Sequence, residues 1–349
     1  MRKFVSLFFI SLLVIGFLPV TVFAAPGPVL QALYTKQSDL QAWFDPVTYL
    51  VKPGAETAAT SLEDWARQYG WRENSSLLFY KPKGVIPVAV KNGLPPAIFA
   101  ADYIVIDQVS GLIVAEQNAG VARPIASLTK LMTTDIVLSH NVSSQKVQPI
   151  VAADQVGGSR LGVPAGTKFT ISDLFYAALL PSANDAANAL ADSTSLSRPD
   201  FIGAMNAEAQ KLVMPRTIFT DPTGIDEGNV STARELALLA QTVFQFPTVR
   251  RDATTLKHTL IELPSKKKLT VKNSDFLLTQ PQYSDVYVTA GKTGYLGPEL
   301  GWNVVVSLKN VKGTPHELLL VLFGEPKLAK SMADADELAE WTWGHYKWE

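Results

Sequence analysis

From Ile98 onward the apolar and polar positions fall into blocks of different period. Tyr103-Ile104-Val105-Ile106-Asp107 and Leu112-Ile113-Val114-Ala115 are short, β-branched runs joined by Gln108-Val109-Ser110-Gly111, the pattern of a hairpin. The spacing then turns helical. Leu128, Leu131, Met132, Ile136 and Leu138 can face a core from a helix that opens at Ser127. Further helices are predicted over 170–180 with Ser172 as cap, over 186–191, over 201–212, and from a cap at 231–235 towards Phe244. Between them lie a Gly-rich loop at 157–166, a helix break at Pro181-Ser182-Ala183-Asn184-Asp185, and a turn at Asp221-Pro222-Thr223-Gly224. After Pro247 strand patterns return over 259–263, 269–272, 287–290, 302–308 and 318–323, and 328–346 reads as a last helix. This order of strands, helices, strands and a helix predicts an α+β fold. An antiparallel sheet built from both ends of the segment is flanked by helices, with a helical subdomain inserted between.

The first hundred residues read differently. Arg2 and Lys3 precede an apolar run over 4–18 that Pro19 ends, and small residues at Ala24 and Ala25 suit a signal peptidase. Residues 1–25 are therefore expected to be a signal peptide. The run is shorter than the ~20 residues a spanning helix needs, though an uncleaved anchor stays open. Either way the mature chain is expected outside the cytoplasm, in the periplasm or extracytoplasmic envelope. Residues 26–97 recur in Pro and Gly and are read as an N-terminal extension ending in a linker over 81–96. A helix is expected over 61–70, capped by Ser61 with Asp64 behind it. Trp43, Phe44, Trp65, Tyr69 and Trp71 suit packing against the main domain better than sugar binding. Residues 98–349 form the expected catalytic domain.

Composition narrows the chemistry. The 349 residues are 47% hydrophobic and 18% charged, which fits a folded domain with a sizeable core. The net charge of −1 gives no reason to propose nucleic acid. Cysteine is absent, so disulfides, thiol catalysis and thiolate metal sites are excluded.

Three short elements remain, in order: Ser127-x-x-Lys130, Ser182-x-Asn184 and Lys292-Thr293-Gly294. Ser-x-x-Lys recurs at Ser143/Lys146 and Ser265/Lys268, and Ser-x-Asn at Ser139/Asn141, so none is decisive alone. Context separates them: a helix start, a helix break and a strand end are places where side chains can converge on a cleft. Residues three apart on a helix are neighbours, which puts Lys130 beside Ser127. A serine hydroxyl is a poor nucleophile until a base takes its proton. Lysine can be that base if burial or a second cation lowers its pKa, and Lys292 can supply that cation. Ser182 can relay a proton to the leaving group, and Asn184 can hold a substrate amide. Lys292 and Thr293 can bind a carboxylate, while Gly294 lets a substrate backbone approach the strand. Backbone N–H groups of Ser127 and Tyr295 can form an oxyanion hole.

With these residues in view, 98–347 resembles the serine D-alanyl-D-alanine carboxypeptidases, the low-molecular-weight penicillin-binding proteins of peptidase family S11. The resemblance extends over 123–133, over 158–162 with Gly166, over 179–187, over 221–224 with 229–237, and over 291–295. It implies the penicillin-binding protein/β-lactamase fold, an acyl-enzyme on Ser127, and a peptidoglycan stem peptide ending in D-Ala-D-Ala. It also implies inhibition by β-lactams, with no metal or organic cofactor.

Two departures stand out. Asp275 takes the second Asn place of the family's Asn-x-Asn, and Tyr295-Leu296-Gly297-Pro298 replaces its usual continuation after Lys-Thr-Gly. Both put peptide preference in question more than the chemistry. Many members also carry a C-terminal β-domain and an amphipathic anchor helix, neither of which follows the last helix here. The leading reading is a DD-peptidase, trimming a terminal D-Ala or cutting D-Ala crosslinks. A serine β-lactamase is the first alternative, but no Glu-x-x-x-Asn element lies between Asn184 and Lys292. A non-catalytic peptidoglycan-binding or penicillin-binding sensor is the second, though every defining residue of the three motifs is present. Trp341, Trp343, Tyr346 and Trp348 are expected to pack the last helix rather than touch a membrane, since no basic face accompanies them.

Overall fold

The structure, a computed structural model, describes residues 38–45, 50–55, 61–68, 72–73, 79–80, 84–311 and 316–349. The signal segment, Tyr69 and Trp71 lie outside the described residues.

Five strands form the central sheet: β1 Asp102–Asp107, β2 Ile113–Gln117, β3 Val286–Tyr295, β4 Trp302–Asn310 and β5 Glu317–Glu325. Their order is β3-β4-β5-β1-β2, every pair antiparallel. The predicted 103–107/112–115 hairpin is the β1–β2 pair. Both faces of the sheet are covered, which explains why its strands read as near-continuous apolar runs. Ile104, Ile106, Val305, Leu319, Val321 and Phe323 face one core. Tyr103, Val105, Val304, Val306, Leu318, Leu320 and Leu322 alternate to the other.

The first core carries the inserted helices: α1 Lys130–Ser139, α2 Ile171–Leu179, α3 Asn184–Asp192, α4 Arg198–Lys211, α5 Ala233–Val243 and α6 Pro247–Thr254. The second is closed by α7 Leu328–His345, through Met332, Ala335, Leu338 and Ala339. A fully buried side chain of the size of Met332 or Leu338 contributes about 1.5–3 kcal/mol, enough to keep α7 docked. Trp341, Trp343 and Trp348 pack against this same core as expected, and Trp348 donates to Asp107 Oδ1 at 2.9 Å.

Four details differ from the sequence reading. The segment 126–129 is a 3-10 turn, and the α-helix starts only at Lys130. The cap of α2 is Thr170, whose Oγ1 accepts from Asp173 N at 3.1 Å, not Ser172, whose N–H goes to Ser144 O. The runs 257–261 and 268–272 pair with each other as a separate two-stranded ribbon and do not join the central sheet. Within the proposed linker, Pro87–Ala89 pairs as a strand with Tyr346–Trp348.

In the N-terminal region the expected cap forms: Asp64 N donates to Ser61 Oγ at 3.1 Å and helix Leu62–Gln68 follows. Trp43 and Trp65 pack on a small core of Leu40, Phe44, Leu62 and Ala66, rather than on the sheet.

Candidate active site

The helix break, the start of α1 and the end of β3 meet at one cavity of about 270 Å³. Ser127, Ser182, Asn184, Thr293, Gly294 and Tyr295 line it, and Lys130 and Lys292 lie beneath, bonded to the lining hydroxyls. All eight residues singled out in the sequence are thus brought together.

Tight backbone turns hold these groups in place. Ala126 (φ +53°) and Ser182 (φ +64°) both occupy the left-handed region, uncommon for residues with a Cβ. Such conformations cost on the order of 1–3 kcal/mol and persist where surrounding structure enforces them. Asn229 O accepts from Ile125 N at 2.9 Å, fixing the strand end ahead of Ser127. Gly224 (φ +81°) passes so close that a Cβ there would lie 1.8 Å from Ala126 O. A Cβ on Gly294 would lie 2.9 Å from the Ala126 Cβ and 3.1 Å from Ser127 N. Gly294 is therefore already needed for the strand to reach the Ser127 turn, before any substrate is considered.

Lys130 is completely buried. Its Nζ lies 2.7 Å from Ser127 Oγ, 2.6 Å from Asn184 Oδ1 and 2.7 Å from Thr223 O. Burial drives its pKa well below the usual lysine value, the nearby Lys292 charge lowers it further, and Asp221 and Asp185 oppose both. A neutral amine has two N–H donors and one lone pair. The two donors match Asn184 Oδ1 and Thr223 O, which leaves the lone pair for the Ser127 hydroxyl. Lys292 is also buried and donates to Ser182 Oγ and Thr293 O, each at 2.7 Å. Burial lowers its pKa to about 7, against the pull of Asp275.

Asn184 is engaged at both ends, since its Nδ2 also donates to Gly157 O at 2.7 Å. One N–H and one lone pair remain for a ligand. Thr293 Oγ1 and Ser274 Oγ are 2.7 Å apart, so Ser274 orients the strand-end hydroxyl. Tyr295 stacks on Trp302 at 4.6 Å between ring centroids, and both line the cavity. β3 is an edge strand, the kind of element to which an extended peptide can add.

From sequence, Asp221 and Thr223 stand only within a family-like turn and Asp275 only as a departure from the family, and none of them is given a part in the site. Thr223 contributes only its carbonyl, which no side-chain pattern signals. Asp221 holds that carbonyl in place, accepting from Thr223 N, Thr223 Oγ1, Gly224 N, Asp226 N and Asn229 Nδ2 at 2.5–2.9 Å. Burial raises the Asp221 pKa, but these bonds outweigh it and hold the carboxyl below its usual value. Asp275 is buried behind β3: Oδ1 accepts from Leu277 N at 2.9 Å, and Oδ2 has no hydrogen-bond partner. Burial pushes it up to about 6, against the Leu277 and Leu278 N–H groups and Lys292. Among the described residues that line the cavity, none is acidic.

A buried lysine against a serine hydroxyl, a second lysine at the end of an antiparallel edge strand, and helices inserted into the sheet define the class: a serine acyl-transfer enzyme on the penicillin-binding protein fold. Its sequence matches the peptidase S11 family, D-alanyl-D-alanine carboxypeptidase, over residues 89–322, and the chain belongs to that family. It is 30% identical over 255 residues to a D-alanyl-D-alanine endopeptidase of Pseudomonas aeruginosa, spanning 72% of this chain and 80% of the relative. It is 26% identical over 254 residues to a D-alanyl-D-alanine carboxypeptidase of Bacillus subtilis, spanning 71% and 63%. A crystal structure of a Streptomyces DD-transpeptidase superposes with a TM-score of 0.66 at 26% identity, covering 72% of this chain and all of that one. The protein is a serine DD-peptidase.

Proposed function

We propose that this peptidase acts on peptidoglycan stem peptides in the extracytoplasmic envelope, through an ester formed on Ser127. Ser127 Oγ attacks the carbonyl carbon of a D-alanine, and Lys130 Nζ takes the hydroxyl proton. The C–N bond breaks as that proton passes by way of Ser182 to the leaving amine, and water then hydrolyses the ester. The Ser127 and Tyr295 N–H groups receive the developing oxyanion. Lys292 and Thr293 receive a substrate carboxylate, and Asn184 a peptide amide. Arg2, Lys3 and the apolar run behind them support export.

One observation carries the mechanism: a fully buried Lys130 Nζ within 2.7 Å of three oxygens, one of them the Ser127 hydroxyl. A solvated lysine would be a cation and no base. The cavity also bears on β-lactams. They acylate the same serine, and with no acidic side chain among the described residues that line the cavity to activate water, the adduct is expected to be long-lived rather than rapidly turned over.

The test is a labelled penicillin followed by intact mass measurement and peptide mapping, with a pentapeptide and a crosslinked muropeptide dimer run in parallel. A stable adduct on Ser127 is expected, with release of D-Ala from the first substrate or monomer from the second. Which of the two forms faster separates carboxypeptidase from endopeptidase. Label on another residue, or neither product, defeats the proposal.

A further inference from the structure

The two-stranded ribbon of Lys257–Ile261 and Lys268–Lys272 plays no part in the acyl-transfer chemistry. Its inner face is ordinary. Leu260 and Val271 are buried, and His258 Nε2 meets Asp173 Oδ1 on α2 at 2.9 Å. Its outer face differs in kind. Lys257, Lys268 and Lys272 are exposed there around a Thr259–Thr270 pair whose hydroxyls lie 3.2 Å apart. Lys266 and Lys267 are exposed in the connecting turn, and exposed Lys168 pairs its backbone with Leu263 beside them. Residues 257–272 hold five lysines against one acid, Glu262, in a chain whose net charge is −1.

Edge strands are often guarded by lysine, which accounts for one or two of these charges. It does not account for their pairing. Lys257 stands directly opposite Lys272 across the ribbon, and like charges at directly opposed positions destabilise a strand pair. A guard of mixed sign would serve solubility without that cost. The ribbon also has a definite relation to the cleft. Asn273, the next residue, donates to Leu256 O and closes the ribbon's base. Ser274 follows, bonded to Thr293 and lining the cavity. A five-residue strand spans roughly 17 Å, so the lysines form a track from the cavity wall outwards.

We propose that this ribbon is a docking surface for the anionic polymer on which the peptidase works, peptidoglycan whose stem peptides carry free carboxylates. The identity of the polymer rests on the function proposed above, while the charge and placement of the surface do not. The ribbon holds insoluble, multiply charged substrate beside the cavity and adds nothing for a small soluble one. A lipid bilayer fits it less well, because no aromatic side chain joins the lysines on the outer face, its one apolar residue, Ile261, is half-buried, and Leu260 and Val271 point inward.

The test uses the full chain bearing Ser127→Ala, so that bound polymer is not consumed. It is pelleted with purified peptidoglycan sacculi at low and at high salt, alongside the same chain carrying Lys257→Gln, Lys268→Gln and Lys272→Gln. The parent is expected to pellet at low salt and to be released at high salt, since exposed charges are screened beyond ~0.15 M. The triple variant is expected to lose about tenfold or more in bound fraction, within the range of electrostatic focusing. The corresponding Lys→Arg triple variant is expected to bind like the parent. With Ser127 intact, the Gln variant is expected to label with penicillin at the parent rate, which reports on the acyl-transfer chemistry separately. Equal pelleting of parent and Gln variant, or binding indifferent to salt, overturns the docking surface. Preference for anionic phospholipid vesicles over sacculi overturns the assigned partner.

Discussion

The cleft and the ribbon use the same residue in opposite ways. Lys130 and Lys292 are stripped of water and tied to named oxygens, and burial lowers the pKa of both, Lys292 to about 7. The ribbon lysines stay exposed to water. A lysine becomes a base only where the fold removes its solvent and leaves a lone pair with somewhere to go. Left in water, it acts as a fixed charge whose reach is set by salt.

Four experiments press on this contrast. Replacing the base should do most. Lys130→Ala removes the proposed proton acceptor, and penicillin acylation is expected to fall by about 10²–10⁴-fold in a stopped-flow assay, while Lys266→Ala leaves it unchanged. Parent-like acylation in Lys130→Ala would remove lysine from the mechanism.

The pH profile comes next. Below its lowered pKa Lys130 gains a proton and ceases to be a base, so acylation is expected to fail on the acid side. Lys292 keeps its charge below about pH 7 and loses it above, so carboxylate-bearing substrates are expected to bind more weakly as pH rises through that value. A rate and KM that stay flat from about pH 5 to 9 would break the contrast, because both lysines would then behave as if solvated.

Asp221→Asn sharpens the same point. It keeps an acceptor for the turn but removes a negative charge that raises the Lys130 pKa, so the acid limb is expected to move to lower pH. A uniform drop in rate with no movement of the limb would make Asp221 purely structural.

The smallest effect is expected on the ribbon. Lys257→Gln with Lys268→Gln and Lys272→Gln should change stability by no more than about 0.5 kcal/mol, the usual range for exposed substitutions, with a slight gain from relief of the Lys257–Lys272 opposition. A large loss by thermal denaturation would mean that the ribbon lysines support the fold.

Much of this architecture is written in local pattern. Period-two and helical spacings marked the strands and helices of the catalytic region, and the order of elements gave the α+β arrangement. Misreadings arose where two local signals compete or where a partner is distant. Thr170 and Ser172 are both plausible caps, and Thr170 takes the role because it ends a short strand, Lys168–Thr170 paired with Val147–Pro149, while the Ser172 N–H is held by Ser144 O. Pro87–Ala89 resembles linker because its pairing partner lies at the far end of the chain.

The sequence by itself determined which chemical groups exist and which can be neighbours along one helix: Ser127 with Lys130, a break carrying Ser182 and Asn184, and a strand ending in Lys292-Thr293-Gly294. Only the tertiary structure decided what those groups are chemically. Proton affinity depends on what displaces water and on nearby charge, and both are brought in from far along the chain: the Thr223 carbonyl under Asp221 and the Asn184 amide against Lys130, and the Asp275 carboxyl that opposes the lowering of Lys292. Backbone carbonyls and desolvation leave no mark in a residue pattern, which is why Lys130 and Lys268, each the last residue of a Ser-x-x-Lys quartet, end one buried against the Ser127 hydroxyl and the other exposed to solvent.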